Sequence, residues 1–217
     1  MKKILYLFSV LIVLSLFSSC NGDDHTYVEI ECDFGKMKVM LYNTTPLHRD
    51  NFIKLAKEGF FDDLLFHRVI KGFMAQGGDP QSRGSVPGSP LGAGGPGYTL
   101  PAEIGAPHLK GALSAARQGD QVNPQKESSG SQFYVVHGTV QNDASLDKME
   151  SLKGFKYNEE QRRLYKTIGG TPQLDMDYTV FGEVVEGLDV IDKICEVKTN
   201  PANRPLEDVK MKIRVLN

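Results

Sequence analysis

The sequence predicts a mainly β protein in which many short strands close into an antiparallel barrel, with a helix near each end of the domain. Three observations support this fold class. Runs of alternating apolar and polar residues recur along the chain, as in strands with one buried face. Turn-forming residues are abundant, with 22 glycines and 11 prolines, and only one long stretch has helical periodicity. At 217 residues with 40% hydrophobic content, the chain can bury the core of one ordinary domain.

The domain opens with a predicted hairpin and a helix. Residues 27–32 and 37–41 each alternate between apolar and polar side chains, and a short turn separates them. A helix is predicted to begin after Thr45 as N-cap, because Pro46 fits the first helical position. Gly59 is predicted to end this helix.

The segment 66–79 predicts a tight hairpin that carries both a guanidinium and a carboxamide group. The loop length decides whether these two groups meet. A two-residue loop would place Arg68 opposite Ala75, whereas a three-residue loop formed by 71–73 places Arg68 opposite Gln76 on the same face. We favour the three-residue loop.

This hairpin has the chemistry of a peptide-binding site. Arg68 beside Gln76 offers fixed hydrogen-bond donors to an uncharged amide, and Phe73 and Met74 supply an apolar wall for a nonpolar ring. The alternative is an edge hairpin whose arginine is merely solvated.

A glycine-rich loop and two further strands follow the hairpin. Residues 84–97 are rich in Gly, Pro and Ser and predict a long loop. The glycines of 92–97 fit the pattern G-x-G-x-x-G, but no hydrophobic strand precedes them, and Pro101 lies where a nucleotide-binding helix would begin. We therefore assign no nucleotide site. Residues 111–117 and 131–136 predict strands.

The last part of the domain combines a helical insertion with the closing strands. Apolar residues recur at helical spacing across 143–169, so we assign 141–172 as a helical insertion in the β domain. Residues 178–185 and 209–216 predict strands, and 187–194 predicts a short helix between them.

Residues 1–19 have the pattern of a secretion signal, because two lysines precede an apolar run too short to span a bilayer comfortably. Cys20 follows two serines, which resembles the bacterial lipobox. We therefore expect a lipid on Cys20, a polar tether over 20–25 and the folded domain over 26–217; ordinary signal cleavage is the alternative. Lipidation would hold the protein in the cell envelope of a bacterium, on the periplasmic or outer-membrane side.

Several functional classes lack their sequence signatures. The net charge of −2 gives no basic surface for nucleic acid. The five histidines are scattered, without His-Glu-x-x-His or Cys-x-x-Cys, so we expect neither a metal ion nor a cofactor. The absence of G-x-S-x-G disfavours covalent hydrolysis. Cys32 and Cys195 form either a disulfide or two buried thiols, and the sequence leaves both open.

The segment 66–79, Phe-His-Arg-Val-Ile-Lys-Gly-Phe-Met-Ala-Gln-Gly-Gly-Asp, resembles the signature of the cyclophilins, a family of peptidyl-prolyl cis-trans isomerases. The resemblance extends over almost all of 26–216, through 111–117, 131–134 and 180–182. It implies an eight-stranded antiparallel barrel capped by two helices. It also implies a reaction that needs no acid, base, metal or cofactor.

The resemblance further implies roles for individual residues. Arg68 matches the catalytic arginine of the family, and Gln76 should hold Arg68 and the substrate carbonyl in place. The matching positions are Phe73, Met74, Tyr134 and Leu174 for the proline pocket, and Ala116, Arg117 and Gln132 for the extended peptide groove. The binding positions differ from the eukaryotic pattern at Tyr134, which replaces Phe and adds a hydroxyl at the pocket floor, at Arg117, which replaces Asn, and at Tyr178, which replaces His.

Two functional hypotheses follow. In the first, a monomeric isomerase tethered to a membrane by its lipid acts on exported, proline-containing polypeptides that are unfolded or extended, and assists their folding. In the second, a cyclophilin-like module binds proline segments as a chaperone or scaffold without turnover. The presence of Arg68, Phe73 and Gln76 favours the first hypothesis.

Overall fold

A computed structural model describes residues 25–216 as a curled β-sheet with helices packed on it. The strands are β1 Thr26–Cys32, β2 Gly35–Leu41, β3 Leu64–Leu65, β4 Arg68–Ile70, β5 Met74–Gly77, β6 Thr99–Leu100, β7 Ala112–Ala115, β8 Ser128–Ser129, β9 Phe133–Val136, β10 Val180–Glu186 and β11 Lys210–Leu216. The α-helices are α1 Pro46–Lys57, α2 Asp143–Lys153, α3 Glu159–Thr167 and α4 Asp189–Cys195.

Nine strands form one antiparallel sheet in the order β3-β11-β1-β2-β10-β7-β9-β5-β4, and β6 and β8 form a separate ribbon. The two end strands, β3 and β4, are separated by only Phe66 and His67 in sequence. The sheet must therefore curl strongly to bring its two ends together. The mainly β, antiparallel fold is confirmed. The main sheet has nine strands where eight were predicted. Its two end strands, β3 and β4, do not pair with each other within residues 25–216.

The core lies inside this curl and is rich in aromatic side chains. Phe52 of α1 packs against Phe61, Phe133 and Phe181, with ring centroids 4.9, 5.4 and 5.3 Å away. These edge and tilted contacts suit aromatic quadrupoles and fix α1 against the sheet. At another face, α4 packs on β2, β4 and β5. The hairpin β4-β5 is therefore supported from behind by a helix.

The start of α1 differs from its prediction in one detail. Thr45 is the N-cap residue, but its side chain caps no helical N–H group. The carboxylate of Glu103 instead accepts hydrogen bonds from the backbone N–H groups of Leu47 and His48 and contacts Nδ1 of His48 at 2.6 Å. Capping by a residue 55 or 56 positions away is invisible to a local sequence pattern.

The predicted insertion contains two helices, α2 and α3. Each begins with a reciprocal capping box, Asn142 with Ser145 and Asn158 with Gln161. Gly154 ends α2 in the left-handed conformation, at φ 70°. The insertion has its own small buried cluster, formed by Leu146, Tyr157 and Tyr165.

The remaining sequence predictions concern cysteines and the N-terminus. Cys32 and Cys195 are free thiols and do not form a disulfide, but only Cys195 is buried, whereas Cys32 is half-buried. Burial raises the pKa of Cys195 to about 12. The signal segment, Cys20 and most of the tether lie outside the described residues. Within residues 25–216, no helix is long and apolar enough to cross a membrane, and no three His, Cys, Asp or Glu side chains are grouped to hold a metal ion.

The cap on α1 gives a stability test. Replacing Glu103 by Ala should lower the free energy of unfolding by about 1–3 kcal/mol, because it leaves two helical N–H groups and a buried imidazole without their acceptor. Chemical denaturation measures this loss. The matched variant is Thr45→Ala at the formal N-cap, which should cost less than Glu103→Ala; the reverse order would show that Thr45 is the effective cap.

Candidate active site

The hairpin of β4 and β5 has the register that a three-residue loop predicts. Arg68 pairs with Gln76, and Gly72 in the loop has a φ of +76°. A guanidinium N–H group of Arg68 donates to Oε1 of Gln76 at 3.2 Å. No carboxylate forms an ion pair with Arg68 in the part of the chain that the structure describes, so its other N–H groups remain available to a ligand.

One cavity of about 100 Å³ brings together nine of the ten predicted site residues. They are Arg68, Phe73, Met74, Gln76, Ala116, Arg117, Tyr134, Leu174 and Tyr178. The volume is well below the roughly 300 Å³ at which pockets for drug-sized ligands begin. The cavity therefore fits one small side chain, and its lining combines a charged donor with apolar side chains.

The tenth residue, Gln132, lies beside this cavity and acts on it indirectly. Its Nε2 donates to the backbone carbonyls of Gly92 and Gly94 at 2.9 and 2.6 Å, and its Oε1 accepts from Nε2 of Gln76 at 2.9 Å. Both amide ends of Gln132 are thus occupied within the protein. Its interactions fix which way the Gln76 amide points, and therefore which atom of Gln76 faces Arg68.

Asp79, to which no sequence pattern assigned a role, anchors the loop that holds Gln132. Its side chain is fully buried and accepts hydrogen bonds from the backbone N–H groups of Gln81 and Gly92. A Cβ on Gly94 would overlap its carboxylate, so glycine is needed there for close approach. The position of Asp79 directly before Pro80, at a turn, was the one local signal.

A wider groove continues from the cavity along the glycine-rich loop. Its volume is about 610 Å³, and it shares Gln76, Ala116 and Arg117 with the cavity. Gln132 lines this groove together with Gly92 and Gly94. A small cavity that opens into a long groove suits an extended peptide, which inserts one side chain into the cavity and lies along the groove.

Arg117 forms a fixed wall between the cavity and the groove. Its Nε donates to the carbonyl of Asp177, its guanidinium pairs with Asp120, and it stacks over the ring of Tyr178 at 4.5 Å. Only 4% of its side chain is exposed. These contacts immobilise Arg117, whereas Arg68 is held by its hydrogen bond to Gln76. The planar group of Arg117 extends the aromatic surface of Tyr178.

Tyr134 lines the cavity, but its hydroxyl is already bonded within the protein. The hydroxyl lies 3.0 Å from Nε2 of His108, and the two rings stack at an interplanar angle of 13°. Burial raises the pKa of this hydroxyl well above its usual range, so the phenol stays protonated. The hydroxyl predicted at the pocket floor is thus bonded to His108, to which no sequence pattern assigned a role.

A second cavity, of about 500 Å³, lies elsewhere and contains none of the predicted site residues. Its lining includes Phe34 and Leu206 with the acidic residues Asp33, Glu207 and Asp208. Lys198 is the cation among the described residues that line it, and no arginine is among them, so it does not offer the planar donor of the first cavity despite its larger size.

Comparison with known proteins identifies the family. Residues 27–215 match the family model described as cyclophilin type peptidyl-prolyl cis-trans isomerase/CLD. A relative in Staphylococcus saprophyticus is 34% identical over 174 residues, covering 78% of this chain and 80% of its own. A relative in Staphylococcus aureus is 34% identical over 176 residues, covering 81% of this chain and 83% of its own. Both relatives have names that place them among the peptidyl-prolyl cis-trans isomerases.

Solved structures show the same fold. A cyclophilin type isomerase of Cryptosporidium parvum superposes with a TM-score of 0.63 at 23% identity, over 89% of this chain and 98% of its own. A second structure of that isomerase, determined in the presence of the dipeptide Ala-Pro, superposes with a TM-score of 0.62, over 88% of this chain and 99% of its own. Since the family model spans nearly the whole described domain, this chain belongs to the cyclophilin-type peptidyl-prolyl cis-trans isomerases.

Proposed function

We propose that this isomerase accelerates rotation about X-Pro bonds in exported polypeptides that are unfolded or extended, and so assists their folding at the cell envelope. The observation that carries the proposed mechanism is the cavity in which Arg68 faces apolar walls that include Phe73 and Leu174. Proline suits this cavity because its ring is small and apolar and its nitrogen belongs to a tertiary amide.

The reaction needs a positioned donor rather than an acid or base. Rotation about an X-Pro bond is slow because amide conjugation imposes a barrier of about 18–20 kcal/mol. In the twisted state conjugation is lost, and the proline nitrogen regains a lone pair that accepts a hydrogen bond. The Arg68 guanidinium donates to this nitrogen and remains protonated throughout. It therefore stabilises the twisted state more than either planar state.

The required stabilisation is within the range of such interactions. Shortening a lifetime of about 100 s to about 1 ms is five decades, or roughly 7 kcal/mol. A single preorganised donor contributes about 3–4 kcal/mol in related electrostatic sites. Binding of the ring by Phe73, Met74, Tyr134 and Leu174 supplies further differential binding if the cavity fits the twisted form better.

The substrate class is supported by the shape of the site. The groove beside the cavity takes the extended chain on either side of a proline, with Ala116 leaving room for it and Arg117 and Tyr178 forming one wall. The related structure obtained with Ala-Pro is in keeping with a minimal ligand of this kind. The Gln76 amide, fixed by Gln132, orients Arg68 and binds the substrate carbonyl.

The location at the cell envelope is supported by the N-terminal sequence. Two lysines, an apolar run and the Ser18-Ser19-Cys20 ending form an export signal with a lipid-acceptor cysteine. The polar residues 20–25 would tether the domain close to the membrane. A protein held there meets polypeptides as they emerge from export, before they have folded.

Arg68 gives the direct test of turnover. Arg68→Ala should lower kcat/KM on an X-Pro peptide by on the order of 100- to 1,000-fold, because it removes the donor to the proline nitrogen. Exchange NMR or a protease-coupled assay measures the rate. The matched control is Arg163→Ala, an exposed arginine that pairs with Glu160, which should leave the rate unchanged. Equal rates for wild type and Arg68→Ala would favour the second hypothesis, a module that binds proline without this chemistry.

Two neighbouring glycines test the support beneath Gln76. Gly94→Ala should displace the loop, because the new Cβ overlaps the carboxylate of Asp79, and should lower kcat/KM by about 10- to 100-fold. Gly95→Ala is the matched control, since its Cβ would meet only Oγ of Ser129 at 3.9 Å. The same loss in both variants would mean that the loop does not position Gln76 through Gln132.

Cell fractionation tests the proposed anchor. The full-length chain should be found in the membrane fraction, and Cys20→Ala should move it to the soluble envelope fraction, because the lipid acceptor is gone. Cys32→Ala, a free thiol in the domain, is the control and should not change the distribution. If Cys20→Ala leaves the distribution unaltered, lipidation at this position is wrong.

A further inference from the structure

The helical insertion is joined to the floor of the cavity by a buried chain of hydrogen bonds centred on Asp175. Oδ1 of Asp175 accepts from the backbone N–H group of His108 at 2.7 Å and lies 2.8 Å from Nδ1 of the same residue. Oδ2 accepts from the hydroxyls of Tyr157 and Tyr165, both at 2.6 Å. The carboxylate, only 3% exposed, is thus surrounded by four donors.

These contacts determine how His108 meets Tyr134. An ionised carboxylate only accepts hydrogen bonds, so Nδ1 of His108 must carry a proton. The tautomer with its proton on Nδ1 leaves Nε2 as an acceptor, 3.0 Å from the hydroxyl of Tyr134, which can donate to it. Because His108 is fully buried and Tyr134 is 4% exposed, no solvent competes for these bonds.

The two tyrosines at the far end belong to the insertion. Tyr165 lies in α3, and Tyr157 lies between α2 and α3. The centroids of their rings lie 5.3 Å apart. Burial raises the pKa of both hydroxyls, and the negative charge of Asp175 raises it further. Both phenols therefore stay protonated and continue to donate to Asp175.

A second contact fixes the same wall of the cavity. Nζ of Lys153, at the end of α2, donates to the backbone carbonyls of Gln173 and Asp175, both at 2.6 Å. Leu174, between them, lines the cavity. The insertion therefore holds Leu174, in the wall, through the backbone on either side of it. It holds Tyr134, at the floor, through hydrogen bonds between side chains.

We propose that Tyr157, Tyr165, Asp175 and His108 are positioning residues for substrate binding, through which the inserted helices hold Tyr134 and Leu174 in the shape that receives the proline ring. None of the four lines the cavity. The inference rests on the proposed proline pocket and adds to it a specificity-determining role for the insertion.

A double-mutant cycle with Tyr134 tests this relay. Combining Tyr157→Phe with Tyr165→Phe keeps both rings and removes only the hydroxyls. In the full-length protein with Tyr134 unchanged, these two substitutions together should raise KM for an X-Pro peptide by about three- to tenfold, with a smaller change in kcat. In a chain that also carries Tyr134→Phe, the same pair should have almost no further effect on KM, because the floor residue no longer bonds to His108.

The control is Leu146→Val, which loosens the same buried cluster without touching a hydroxyl. It should lower the unfolding temperature while leaving KM unchanged. Equal rises in KM with and without Tyr134→Phe, or the same rise in Leu146→Val, would overturn the proposal and leave the tyrosines a purely structural role.

The ¹⁵N NMR spectrum of the His108 imidazole tests the relay without any substitution. A protonated Nδ1 is expected in the full chain, and an unprotonated Nδ1 would contradict the relay even if the tyrosine variants fail to fold. Arg68→Ala separates the two proposals. If it is inactive and the cycle shows no coupling, only the relay is wrong; if it is fully active, the proposed mechanism itself is wrong.

Discussion

The hydrogen bond between Arg68 and Gln76 is the constraint on which the rest of the site depends. It exists because the loop 71–73 sets the register of β4 and β5, so that the two side chains lie opposite each other. An unrestrained arginine would lose about 1.5–2 kcal/mol of rotamer entropy on meeting a substrate. Part of that loss has already occurred in the folded hairpin. The guanidinium is also free of an internal ion pair in the described chain, so its charge is directed at the ligand.

Two buried aspartates support the cavity through separate sets of hydrogen bonds. Asp79 holds the glycine-rich loop, which fixes Gln132, which in turn fixes Gln76. Asp175 holds His108, which bonds to Tyr134. A buried carboxylate with missing partners would cost several kcal/mol, so each aspartate strongly favours one arrangement of its neighbours. The donor side and the apolar side of the cavity are thereby preorganised before substrate arrives.

Local sequence patterns predicted the features that local interactions determine. The hairpin register followed from loop length, and most strands followed from alternation. The cavity residues came from resemblance to the cyclophilins, because no spacing rule links Arg68 to Leu174. The roles of Glu103, His108 and Asp175 were missed, since the bond from Glu103 to His48 spans 55 residues and the one from His108 to Asp175 spans 67. Gln132 was predicted to contact substrate along the groove; it lines the wider groove, but its amide is occupied by the loop and by Gln76.

A crystal structure of this chain with a bound X-Pro peptide tests the central claim most directly. The quantity to measure is the distance from the guanidinium nitrogens of Arg68 to the proline nitrogen. We expect the proline ring to lie between Phe73, Tyr134 and Leu174, with a guanidinium nitrogen within hydrogen-bond reach, about 3 Å, of that atom. A peptide bound with its ring outside this cavity, or with the guanidinium turned away from the prolyl bond, would contradict the account.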